Sequence, residues 1–411
     1  MFNEKNKLLN NSLIVLFSIY PLAILLGNFA INFFIFITGS IFLFKLLKRD
    51  TQILEYKNSF YLLIFFFISL VINLIFSNNF YLSYQRVAKF FFIIFFIIAF
   101  KFLIINYSKK LEIIYKIWSI FFLIVIFDLI FEFFVGKNIL GQTSIMSGRL
   151  GSFTGEESVI GNYFFGFSLV FLTYLYNRTN KISLNLAFAI CLIIVSFLIG
   201  ERANFIKTFI AITIFLFFVY KINYKYKFLS IFVVLILSCL TFFSLNDDYK
   251  ARYFNQITPI LTPNGLNNFL NETKYGAHRN VAKEIFLDNL FFGAGIKNFR
   301  VESGKKKYEN LDHKKNRYRI SNHPHELYYE FLSETGIFGL ISFLIFIFSS
   351  LFVSVKNYFK TKNTYQFSSI IIILLSILPV IPTGSFLATF PSSIFWINYA
   401  IMMGYNRNIT K

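Results

Sequence analysis

Phe90-Phe91-Phe92-Ile93-Ile94-Phe95-Phe96-Ile97-Ile98-Ala99-Phe100 contains no charged or polar side chain. With its flanks it makes an apolar run over 88–105, close to the ~20 residues that a helix needs to cross a bilayer. Runs of this kind recur along the chain. The expected spans are 12–27, 29–47, 59–76, 88–105, 113–135, 160–176, 183–199, 204–220, 228–245, 336–354, 367–382 and 390–405. The expected fold is therefore an all-α polytopic integral membrane protein of about 12 transmembrane helices, a single membrane domain over 1–411. Several spans are short, so tilt or kinks are implied, with Pro21, Pro379 and Pro382 as kink sites because each lacks a backbone donor. The 60 phenylalanines, 56% hydrophobic content and mean hydropathy of +0.62 agree with this class.

Charge supplies the orientation. With the N-terminus cytoplasmic, the inward segments hold 20 of the 40 basic residues, and the short outward loops hold six: Arg86, Lys89, Lys137, Arg149, Arg202 and Lys207. The rest lie in one long outward loop, 246–335, between the ninth and tenth spans. Excess Lys and Arg in short loops marks the cytoplasmic side, so both termini are expected there. The net charge of +20 is then a topological signal and gives no ground for a nucleic-acid partner. The first run reads as a signal anchor. Cys191 and Cys239 both fall in apolar spans, which excludes a disulfide framework in practice.

All four histidines, His278, His313, His323 and His325, lie in the long loop. Its sharpest part is Asn322-His323-Pro324-His325-Glu326-Leu327, which runs on to Glu334-Thr335-Gly336 and Gly339. Pro324 suits a first helical turn and puts His325 in it. There the helix dipole would keep the imidazole neutral and favour a nearby anion, which suits activation of a hydroxyl against a phosphate leaving group. A histidine that merely caps the loop is the alternative. His323 is a second candidate. Tyr329 falls on the His325 side of that helix, whereas Glu326, Glu330 and Glu334 form an acidic stripe; Glu334 either pairs with a loop arginine or contacts substrate.

Arginine is used more often outside than inside, as planar recognition of phosphate or carboxylate would require. Arg202, in Gly200-Glu201-Arg202-Ala203-Asn204, sits in a very short turn next to hydrocarbon, where an ionisable group is a functional candidate. Snorkelling, or neutralisation by Glu201, is the alternative. Arg279 starts an expected amphipathic helix over 279–290 with Val281, Ile285 and Phe286 as apolar members. A cation there opposes the helix dipole, and an anionic ligand would supply a reason for it. Arg149 is a further candidate. The tract 305–319 reads as a flexible flap. Asp128 and Glu132, one turn apart, either line a polar cavity or pair with basic groups. No phosphate loop, serine-nucleophile motif or metal-spaced cluster is present, so no cofactor or metal is expected.

These residues resemble the bacterial O-antigen ligase and O-antigen polymerase superfamily. His325, Glu334, Gly336 and Gly339 are similar to its His-Asn-x-x-Leu start followed by Glu-x-Gly-x-x-Gly. Arg279 and Gly295, with fifteen residues between them, resemble its Arg/Gly loop motif. Glu201-Arg202-Ala203 resembles a Ser-Arg-Gly entrance to a span, and Arg149-Leu150-Gly151-Ser152-Phe153 an Arg-x-x-Gly-Thr-Phe segment. The departures are Glu326 for Asn, Tyr329 at a usual Leu position, Glu201 and Ala203 beside Arg202, and one residue missing after Arg149.

The resemblance implies metal-independent glycosyl transfer at the periplasmic face of the bacterial inner membrane. A glycan on undecaprenyl pyrophosphate would be the donor, and lipid A–core or another glycan hydroxyl the acceptor. His325, Arg202 and Arg279 would be catalytic: the arginines would hold the pyrophosphate and His325 would take the acceptor proton. Arg149, His323, Glu334 and Tyr329 would bind substrate. Ligase is placed ahead of polymerase; transfer to secreted proteins is a third activity of such families. From another class, a lipid-linked oligosaccharide transporter would predict charges deep in several spans, whereas here they gather at one face.

Overall fold

The computed structural model describes residues 2–48, 57–157, 159–179, 181–220, 247–257, 262–379 and 381–406. The expected ninth span, 228–245, and Cys239 lie outside them. The described residues form helices joined by irregular segments, with no strand among them. The α-helices are α1 Phe2–Ser18, α2 Tyr20–Leu25, α3 Asn28–Leu47, α4 Lys57–Ile75, α5 Phe80–Asn106, α6 Ser108–Val135, α7 Ile160–Arg178, α8 Ile182–Leu198 and α9 Arg202–Val219. They continue as α10 Asp247–Ile257, α11 Gly265–Glu272, α12 Lys274–Asp288, α13 Phe299–Glu302, α14 Leu327–Thr361, α15 Thr364–Ser376 and α16 Thr389–Gly404.

Among the described residues five helices, α3, α5, α6, α9 and α14, are long and apolar enough to cross a membrane. Residues 59–75 of α4, α8 and α15 are shorter apolar helices. The described residues fit a polytopic membrane protein built of helices. α5 is buried over most of its length and packs against α3, α4 and α16. Aromatic rings fill these contacts: Phe66 stacks on Phe346 with centroids 4.9 Å apart, and Phe90 meets Trp396 edge-on at 5.2 Å. Ring pairs in these geometries add to simple burial.

Where the runs break, the sequence supplies the reason. The first expected span is two helices, α1 and α2, separated at Ile19, with Pro21 in the first turn of α2. The run expected over 367–382 stops at Ser376, so Pro379 and Pro382 lie in an irregular linker instead of kinking a helix. α5 begins well before the expected span, which places Arg86 and Lys89 on a helix and not in a loop. α14 is bent at Gly336, whose φ of 66° and ψ of −170° interrupt the helix.

Among the described residues Asp128 and Glu132 form no ion pair with a cation. Asp128 accepts from Ile139 N at 2.8 Å and Ser152 Oγ at 2.5 Å. Glu132 accepts from Gly151 N at 2.9 Å and Ser152 N at 2.6 Å. The two buried carboxylates dock the segment that carries Arg149 onto the end of α6.

Candidate functional site

The segment that carries His325 meets α12, and α12 through Tyr275 approaches the start of α9. His325 is not in the helix that follows it. Glu326 caps α14, its carboxylate accepting from Tyr329 N at 2.8 Å, and the helix starts at Leu327. His325 therefore precedes the cap, in the left-handed region at φ 60°. A side chain other than glycine rarely adopts this conformation, and such strain gathers at functional positions. The Thr383 backbone holds it: Thr383 N donates to the His325 carbonyl at 3.0 Å, and His323 Nε2 donates to the Thr383 carbonyl at 3.2 Å. The linker after α15 thus clamps both histidines.

The His325 ring sits among other rings. The His323 centroid is 4.0 Å away, His278 stacks on it at 5.2 Å, and Tyr275 meets it edge-on at 5.4 Å. Ser321 Oγ lies 3.5 Å from its Nε2. Burial, reinforced by the His323 and His278 rings, pushes the His325 imidazole down to about 3. Burial likewise lowers His323 to about 4 and lowers His278. Desolvation, and not the helix dipole expected from the sequence, thus disfavours the charged imidazole.

α12 supplies the opposite wall. It starts at Lys274, where Thr273 Oγ1 accepts from Gly276 N at 3.1 Å, five residues before the expected start. Arg279 is accordingly in the second turn, and the dipole conflict inferred for it does not arise. Tyr275, His278 and Arg279 are spaced i, i+3 and i+4, so they share one face. The Arg279 guanidinium lies over the Tyr329 ring, 4.7 Å from its centroid. Val281 and Ile285, three and seven residues after His278, adjoin that face and pack in a small core with Ala294, Phe299 and Tyr308, on which Tyr329 also rests.

Arg202 opens α9 and lies close enough to Tyr275 and Tyr253 to feel both phenols, and to Arg149 to feel its charge. Glu201 does not neutralise it: that carboxylate accepts from Gly161 N at 3.0 Å and Asn204 Nδ2 at 2.5 Å. Arg252 of α10 donates to the Gly200 carbonyl through Nε and to the Ser147 carbonyl through Nη1, each at 3.2 Å. It joins the two segments that bear Arg202 and Arg149 and adds a third positive charge beside them.

Glu334 is buried and makes no ion pair among the described residues. Its carboxylate accepts from Lys297 N at 2.8 Å and Phe299 N at 3.3 Å. Glu330 accepts from Ser385 Oγ at 2.5 Å and Phe386 N at 3.1 Å. The acidic stripe thus organises backbone around the site, and the arginine partner expected for Glu334 is replaced by amides.

A short ladder joins the two halves of the resemblance. Ala294 N donates to Ser333 O at 2.9 Å, Gly295 N to Glu334 O at 2.8 Å, Ile337 N to Leu290 O at 2.9 Å and Phe338 N to Phe291 O at 3.1 Å. The strands of backbone touch so closely that a Cβ on Gly336 would lie 2.4 Å from Phe291 O, and one on Gly293 2.4 Å from Glu334 C. Only glycine fits these left-handed positions. The segment expected to be a flap, 305–319, is tied down: Tyr308 is buried and donates to Asp288 at 2.6 Å, and Asn316 Nδ2 donates to Glu309 O at 2.7 Å. His313, held between Leu270 O and Lys315 N, belongs to this scaffold.

The fold brings together His325, His323, Arg279, Tyr329 and Arg202, with Arg149 behind Arg202. Sequence reasoning missed Tyr275, His278 and Arg252 as participants. The i, i+3, i+4 spacing with Arg279 could have found the first two; nothing local marks Arg252. Among the described residues no group of three or more His, Cys, Asp or Glu is arranged to hold a metal ion.

No curated protein matches the chain. Residues 186–344, which carry Arg202, Arg279, His325 and the Gly336 bend, match the family model described as O-antigen ligase. Over that stretch the chain is similar to the O-antigen ligase family.

Proposed function

We propose that the chain is an O-antigen ligase-like glycosyltransferase working without a metal at the periplasmic face of the bacterial inner membrane, with both termini cytoplasmic. It moves a glycan from undecaprenyl pyrophosphate to a hydroxyl of lipid A–core or a similar acceptor. The observation that carries this reading is a half-buried imidazole, His325, whose neutral form is favoured, set against the face of α12 that bears Tyr275, His278 and Arg279, with Arg202 beyond Tyr275. The acceptor hydroxyl attacks the anomeric carbon while His325 takes its proton, a new C–O bond forms, and the bond from that carbon to the pyrophosphate oxygen breaks. The leaving pyrophosphate keeps the electron pair, and Arg202 and Arg279 offset its growing charge. Tyr329 orients the Arg279 plane, and His323 and Arg149 contact the substrates. Glu334, first considered as a contact residue, acts as a positioning residue through the 297–299 turn.

The test is transfer in a strain lacking its own ligase, with wild type and His325→Ala at equal membrane abundance. Glycan reaching lipid A–core with wild type alone supports ligation. Lengthening of lipid-linked chains without such a conjugate would assign polymerisation instead. Equal activity of the mutant would remove His325 from the chemistry.

A further inference from the structure

A second group of cations lies beyond His323, away from Arg202. Arg86 and Lys89, one turn apart on α5, converge on Thr389 Oγ1 at 3.4 Å and 3.2 Å, and Arg86 also donates to the Leu387 carbonyl at 2.7 Å. Lys297 and Arg300 come from the turn that Glu334 holds. Lys297 is in the left-handed region at φ 67°, a conformation that the turn imposes on it. Arg86 and Arg300 both act on Lys297, and Arg300 also acts on His323, so the group borders the histidines.

All four side chains are only partly buried, which leaves them reachable. None of them forms an ion pair with a carboxylate among the described residues. Glu330 and Glu334, whose charges act on Arg86, direct their oxygens at amides and a serine hydroxyl, and Glu302, on the Arg300 helix, pairs with Lys305 and accepts from Asn78. The Arg300 Nε is buried and has no hydrogen-bond partner. Four cations held together with so little compensation, one with an unfilled buried donor, describe a receptor for a multiply charged anion. Two guanidinium forks and two point charges suit a phosphate or pyrophosphate better than a single carboxylate.

We propose that Arg86, Lys89, Lys297 and Arg300 form a second phosphate-binding site, distinct from the Arg149, Arg202 and Arg252 group, which takes a phosphate or pyrophosphate carried by the acceptor. That the occupant is the acceptor rests on the function proposed above; that a second anion site exists does not. His325 then stands between two phosphate sites, one reached through Tyr275 and the other through His323. The hydroxyl to be deprotonated is delivered by an anchored, anionic molecule.

The experiment is calorimetric titration of inorganic pyrophosphate into the full chain in neutral-lipid nanodiscs. Wild type is expected to bind two equivalents. Arg86→Gln/Arg300→Gln should keep one equivalent at wild-type affinity, which also shows that the variant is folded, and lose the other by tenfold or more. Arg202→Gln should lose the complementary equivalent. Two unchanged equivalents in Arg86→Gln/Arg300→Gln, or a single wild-type equivalent that disappears with Arg202→Gln, overturns the proposal. The source follows from repeating the Arg202→Gln titration in discs containing either undecaprenyl pyrophosphate or phosphorylated lipid A. Whichever lipid suppresses pyrophosphate binding is the occupant, and suppression by neither counts against an acceptor site. If His325→Ala transfers normally while two equivalents persist, the proposed chemistry fails and the second site stands.

Discussion

Gly336→Ala isolates the bend that joins α14 to the site. The backbone there, at φ 66° and ψ −170°, is in a region open essentially to glycine alone, so an alanine costs about 1–3 kcal/mol in conformation. Its Cβ would also lie 2.4 Å from Phe291 O and 2.6 Å from Gly293 N, contacts that only backbone movement relieves. Overpacking of this sort costs about 1–3 kcal/mol. Together they give roughly 2–6 kcal/mol, before any loss from the Ile337 and Phe338 ladder bonds. Gly304→Ala is the matched control in the same region: its nearest neighbour, Val301 O, is 3.6 Å from an added Cβ, and about 0.5 kcal/mol or less is expected. Thermal unfolding of both variants in the same detergent reads the difference, and at about 2–4 °C per kcal/mol it exceeds measurement error. Transfer should fall as well, because a displacement of about 1 Å among reacting groups can cost on the order of 100-fold. A Gly336→Ala protein that unfolds with Gly304→Ala and transfers like wild type would refute the role given to the bend.

Replacement of His325 by Gln should reduce transfer by about 100- to 10,000-fold. Because the wild-type imidazole is held at about 3, its rate should stay level from about pH 5 to 8, and an acid limb centred near 6.5 would show that burial does not set its protonation. Stability has the same origin. His323 and His325 titrate lower folded than unfolded, so between about pH 4 and 6.5 the unfolded chain binds more protons. Stability should then fall as pH drops through that window, by up to about 1.4 kcal/mol per pH unit for each histidine. His323→Gln/His325→Gln should flatten that slope in melting temperatures, and an unaltered slope would assign it elsewhere. Tyr329→Leu removes the ring beneath Arg279, worth about 0.5–2 kcal/mol, and should raise the donor KM several-fold, whereas Tyr329→Phe should not; identical behaviour of the two would dismiss the stacking. Glu132→Gln weakens two bonds to the Arg149 segment and should make residues 139–152 more open to protease; unchanged cleavage would count against the docking role.

Much of this was legible because charge stands out in an apolar chain. His325, Arg279 and Arg202 stand out as candidates by residue type and setting, and the helical class by run length. Local geometry was less legible. Pro324 reads as a helix start, but the Glu326 side chain reaches Tyr329 N and delays the helix, leaving His325 in the turn. Thr273 advances α12 in the same way. Both outcomes rest on which side chain caps, a choice between neighbours that differ by little. Tertiary partners were beyond reach: the sequence of Arg252 gives no sign that it bonds Gly200 and Ser147, and Glu334 looks like an ion-pair member until the amides of Lys297 and Phe299 are in view.

The ladder between 290–295 and 333–338 closes the chain on itself. Everything from Ile296 to Leu332 is thereby an excursion with both ends pinned, and it carries Lys297, Arg300, His323 and His325. Arg202 and Arg279 lie outside it. The closed appendage therefore holds His325 and two cations of one bank, Lys297 and Arg300, while Arg86 and Lys89 of that bank and the whole of the other belong to the frame. Substitutions or insertions far out on the appendage, in the stretch after Gly304, can reshape what approaches His325 without moving the arginines of the frame. Under the function proposed above, a scaffold divided in this way would let the acceptor side of the site change while the donor side stays fixed.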